Sequence, residues 1–61
     1  MKTVKPVEQA TDSQLRQLTR RFESVSEYSG IIQSQLPLVT TERAQLVNLL
    51  KANHIFQFAI Q

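Results

Sequence analysis

The sequence predicts a mainly α domain, a small fold of two to three helices with a short C-terminal strand, assembled as a dimer. Three observations carry that expectation. Apolar residues recur at spacings of three and four from Leu15 onward, the period of a helix face. A helix-start signature sits just ahead of them at Thr11. The chain has 61 residues and no cysteine, and a domain this small buries only about 60% of the surface its unfolded chain exposes. Folds of that size are usually reinforced by disulfides, a metal or a partner subunit. With no thiol and a single histidine, His54, the partner subunit is the reinforcement that remains.

Residues 1–10 read as an N-terminal arm and residues 11–61 as a single helical domain. Within the arm, Thr3-Val4-Lys5-Pro6-Val7 suits an edge strand, because Pro6 lacks the N–H that a central strand needs. Thr11-Asp12-Ser13-Gln14 fits a capping box, with Thr11 as N-cap and Gln14 reaching back to its amide. Ala10 and Leu15 form the matching hydrophobic staple, and Asp12 complements the helix dipole.

Leu15, Leu18, Phe22 and Val25 then make one helix face. The same register continues to Ile32 and Leu36 but fails at Ser29. The helix either runs on to about Gln35 or breaks at Gly30. The favoured reading is a break or kink at Tyr28–Gly30, with a second short helix from Ile31 that Pro37 stops, since the residue before proline is driven out of the helical region. Leu36-Pro37-Leu38-Val39 reads as a packed apolar connector.

Thr40 or Thr41 is expected to cap the next helix, with Glu42 in its first turn and Leu46, Leu49 and Leu50 on its core face. Asn53 is the expected left-handed residue at its end. Beyond it, Phe56, Phe58 and Ile60 alternate with Gln57, Ala59 and Gln61, the period of a strand. A rival reading continues the helix, with Leu46, Leu49, Asn53, Phe56 and Ile60 on one seam. A lone strand needs a partner, either the Thr3–Val7 arm or the same strand in another subunit.

Function is narrowed mainly by exclusion. One histidine and one glycine offer no nucleophile–base pair and no glycine-rich phosphate loop, so an enzyme is not expected and no cofactor or metal is implied. No charged segment followed by an apolar stretch opens the chain, and every apolar run falls short of the roughly 20 residues of a membrane span. The expected setting is therefore the cytoplasm. Net charge is +2 and unevenly placed, with a balance of +3 through Phe22 and −1 beyond it.

Two binding classes remain. In the first, the chain is a small non-catalytic regulator that binds another protein stoichiometrically. Adaptors, inhibitors and antitoxin-like proteins of phage, plasmid or bacterial type have this size and composition. Its expected contact is the basic patch Arg16, Arg20 and Arg21, and its expected self-association face is Val47, Leu50, Ile55, Phe56, Phe58 and Ile60. In the second, the chain is a DNA-binding transcriptional regulator with a helix-turn-helix centred on Gly30. Gln33, Ser34 and Gln35 would then face the bases, although Pro37 would fall inside the recognition helix.

Separately, Thr19-Arg20-Arg21-Phe22-Glu23-Ser24 resembles, at Thr19 and Glu23, the inhibitory helix of small antitoxins that silence Fic-domain AMP-transferases. That resemblance implies that Glu23 obstructs a partner enzyme's nucleotide site. The pattern departs from the family at Ser24, where the family has glycine or asparagine.

Overall fold

The computed structural model describes residues 3–60. Three helices and a two-stranded antiparallel sheet follow one another as β1 (Thr3–Pro6), a 3₁₀ turn (Val7–Gln9), α1 (Asp12–Leu18), a second 3₁₀ turn (Arg20–Phe22), α2 (Ser26–Gln33), α3 (Thr40–Ala52) and β2 (Gln57–Ile60). Among the described residues no helix is long and apolar enough to cross a membrane.

The capping box at Thr11 is present in full. Thr11 Oγ1 accepts the Gln14 N–H at 3.1 Å, and Gln14 Oε1 accepts the Thr11 N–H at 2.9 Å. Ala10 and Leu15, the staple pair, are both fully buried. The helix then ends earlier than its apolar spacing implies. Thr19 is fully buried, and its hydroxyl donates back to the Leu15 carbonyl at 2.7 Å. Such back-bonding bends helices, and from here the backbone bonds tighten to one residue fewer: Phe22 to Thr19, Glu23 to Arg20 and Val25 to Phe22.

The break therefore lies at Thr19–Val25, not at Tyr28–Gly30, and Gly30 sits inside α2. Leu15 stays in the core, Leu18 and Phe22 pack against it half-buried, and Val25 is turned out to solvent. Thr19–Ser24 is thus no inhibitory α-helix, and its Thr19 is inaccessible.

As expected, α2 stops before Pro37. Val39, not Thr40 or Thr41, is the N-cap of α3, and Glu42 Oε1 reaches back to accept the Val39 N–H at 3.1 Å. At the other end the left-handed residue is His54, with φ 64°, one position beyond the expected Asn53. His54 N–H donates to the Lys51 carbonyl and Ile55 N–H to the Leu50 carbonyl, which is the Schellman arrangement.

The tail is a strand, and its partner is the arm of the same chain. The register pairs Thr3 with Ile60, Val4 with Ala59, Lys5 with Phe58 and Pro6 with Gln57. The arm contributes more than a strand, because Val7 and Ala10 lie wholly in the core beside Leu15, Ile32, Leu46, Val47, Leu50 and Phe58. Helix α1 packs on α3, and the sheet brings the Phe58 side chain onto that pair.

Candidate functional site

Each helix contributes one wall or tie to the surface around the α2–α3 connector. Arg16, on α1, is not a free cation of a basic patch. Its Nε donates to the Ile31 carbonyl at 3.0 Å and its Nη2 to the Leu36 carbonyl at 2.5 Å. One planar side chain thus fastens α1 to the end of α2 and to the connector, a fork geometry that lysine could not reproduce. Arg20 and Arg21 follow on the 3₁₀ turn, both exposed.

The connector is tied on its other side as well. Asp12 Oδ2 accepts the Leu38 N–H at 2.9 Å, and Ser34 Oγ accepts the Leu36 N–H at 3.1 Å. With the Glu42–Val39 bond, side chains from three directions hold the backbone at Leu36, Leu38 and Val39. Leu38 turns inward and is half-buried, but Leu36 is 73% exposed and Val39 59% exposed. The connector is therefore not the wholly packed segment that its composition suggested. It is an apolar ridge, with a fixed backbone and outward side chains.

A polar groove runs beside this ridge. Asp12, Arg16, Arg20, Gln33, Ser34, Gln35 and Pro37 are among the residues that line it. The fold thus brings together two sets of residues that the sequence suggested for different partners. Arg21 is not among the residues lining the groove. Gln33 is the last residue of α2, and Ser34 and Gln35 belong to the connector. They do not lie on a recognition helix, and with Gly30 mid-helix the expected helix-turn-helix is not formed.

Behind the ridge stands Arg43, which sequence reasoning passed over. Its Nη1 meets Asp12 Oδ1 at 3.2 Å, and its Nη2 donates to the Glu8 carbonyl at 3.2 Å and to the Ala10 carbonyl. A signal was available. A cation in the first turn of a helix opposes the helix dipole, so Arg43 needs acceptors from elsewhere. A second ion pair joins Lys51 Nζ to Glu8 Oε2 at 2.7 Å. The hydrogen bond from Lys51 holds the Glu8 carboxyl below its ordinary range, so this pair persists above that range and is lost as acid protonates Glu8.

The residues expected to join two subunits fall into two groups. Leu50 is fully buried and Val47 and Phe58 nearly so, all against partners within the chain. Ile55 and Ile60 are half-buried on the same core. Only Phe56 stands out, 54% exposed, with the His54 ring edge-on to it at 6.3 Å. No family profile, curated protein or solved structure matches this chain.

Proposed function

We propose that this chain acts by stoichiometric binding of another protein, as a small adaptor or inhibitor, with the Leu36–Val39 ridge as its anchor. One observation carries the reading: a connector held by hydrogen bonds at Leu36, Leu38 and Val39 keeps Leu36 and Val39 in solvent. Apolar side chains exposed singly are ordinary. Two on one short segment with Pro37 between them, on a backbone that loses little freedom on binding, are what an interface anchor requires. Arg20, across the groove, adds a cation at the rim, where charge chiefly speeds encounter with an acidic surface.

The test is affinity capture from the native host, with the wild-type chain and with Leu36→Asp/Val39→Asp as paired baits. The expected result is one protein retained at a fixed stoichiometry by the wild type and lost from the double variant, whose fold is unchanged because both side chains are exposed. A protein retained equally by both baits would remove the ridge from the reading. Sequence-specific binding of duplex DNA at roughly 150 mM salt, where nonspecific affinity is already weak, would replace it with the nucleic-acid alternative. The exposure of Phe56 favours a second reading, a homodimer through Phe56 and Ile55. Sedimentation of the wild type and of Phe56→Ser over a range of concentrations decides it.

A further inference from the structure

The two edges of the small sheet are not alike. Val7 N–H donates to the Phe56 carbonyl at 3.1 Å, which continues the ladder one step past Pro6 and Gln57. Antiparallel pairs alternate between hydrogen-bonded and non-hydrogen-bonded, so Lys5–Phe58 and Thr3–Ile60 are bonded pairs, whereas Pro6–Gln57 and Val4–Ala59 are not. The N–H and C=O groups of Gln57 and Ala59 therefore point away from β1. On the β1 side the outward positions are Val4 and Pro6, and Pro6 has no N–H to offer. Proline and lysine are the usual means of closing an edge to further strands, and β1 has both. Strand β2 has neither, and among the described residues no third strand pairs with it.

A groove follows that open edge. All four residues of β2 line it, together with Gln14, Gln17 and Leu18 of α1. Phe58 and Ile60 direct their side chains to the core, while Gln57 and Ala59 are exposed. A space that touches four consecutive residues of both orientations lies along the strand's edge, not over one face. None of its lining side chains is ionisable, and Leu18 and Ile60 give it an apolar floor.

We propose that this groove binds an extended, uncharged segment of another polypeptide, which adds to β2 as a third strand with apolar residues at every second position. The free N–H and C=O groups of Gln57 and Ala59 require a main chain in the β conformation. The absence of charge selects against acidic and basic peptides, which would leave water without a partner there. Helix α1 walls the far side, which suits a single extended chain better than the layered edge of a second folded copy. Gln17 also lines the groove beside the connector, but none of Leu36–Val39 lines this one, so its failure would leave the ridge reading where it stands.

The capped peptide acetyl-Thr-Val-Thr-Val-Thr-amide is the probe, titrated into the full-length ¹⁵N-labelled protein. The expected result is saturable shifts at the Gln57 and Ala59 amides and at the Gln14 and Gln17 side-chain amides. A Lys-for-Val version of the peptide should give none. Ala59→Pro removes one outward N–H that the internal ladder does not use, and should weaken binding roughly tenfold, the loss of about one hydrogen bond. Gln17→Arg, on the exposed wall of α1, should do the same without touching the sheet, which keeps the test decisive if proline disturbs β2. Absence of saturable shifts up to millimolar peptide would overturn the proposal. So would equal binding of the lysine peptide, or shifts of the same amides with protein concentration alone, which would show that a second copy takes the edge.

Discussion

At the scale of single residues, two side chains decide where the loops lie. Arg16 and Arg43 each donate to backbone carbonyls on segments far from their own helix, and Arg43 also meets the Asp12 carboxylate. A hydrogen bond to a charged group contributes about 1.5–3 kcal/mol when water is kept away, and partial exposure of the Asp12–Arg43 pair lowers that figure. Arg43→Met is therefore expected to destabilise the fold by about 2 kcal/mol, because it leaves the Ala10 carbonyl and one Asp12 oxygen without a protein donor. Lys51→Met, which breaks only the exposed pair with Glu8, should lose clearly less, because water screens an exposed ion pair. Urea titration of the two variants compares them directly. Equal losses would show that Arg43 is one more surface cation. Sequence spacing pointed to Arg16 as part of a patch and missed Arg43, because both side chains act through carbonyls, and any residue can supply a carbonyl.

At the scale of elements, the informative mismatch is the position of the break in the helical run. Periodicity placed it near the one glycine, on the ground that glycine is a poor helix former. The chain breaks instead at Thr19, whose buried hydroxyl bonds back to the Leu15 carbonyl, an arrangement that favours a bend. Gly30 is left as an ordinary interior residue of α2, and a methyl group added there would meet nothing within 4 Å. Gly30→Ala should therefore stabilise the protein by about 0.8–1 kcal/mol, the difference in helix propensity, and raise Tm by roughly 4–8 °C. Thermal melting monitored by circular dichroism measures it. A lower Tm would mean that Gly30 needs a conformation denied to alanine, as the turn of a helix-turn-helix would.

At the scale of the whole molecule, the ends of the chain close the fold. Phe58, Ile60 and Ile55 from the tail and Val7 and Ala10 from the arm cover a face of the α1–α3 pair. In a chain of this length the total stability is small, and one large buried side chain is a sizeable fraction of it. Truncation after Asn53 removes Phe58 and Ile55 together and leaves β1 without its partner. It should abolish the cooperative melt, with loss of helical circular dichroism at 25 °C. A truncated chain that still melts cooperatively would show that the three helices stand without the sheet. The predicted dimer rested on the size of this same apolar set, and the arm covers a good part of it without a second chain.

Features that span four residues or fewer were determined by the sequence alone. The Thr11–Gln14 box and the stop before Pro37 depend on bonds and torsions between near neighbours, whereas the strand pattern of Gln57–Ile60 kept a helical rival until its pairing with β1 removed it. Only the tertiary structure decided that β2 pairs with the chain's own beginning, that Arg43 ties residues up to 35 positions away, and that Leu36 and Val39 face water while Leu38 does not. Each of those outcomes depends on which distant surface reaches a group first. Apolar area and an unpaired strand edge state a demand for a partner, but the periodicity that reveals the demand is the same whether that partner is fifty residues along the chain or on another molecule.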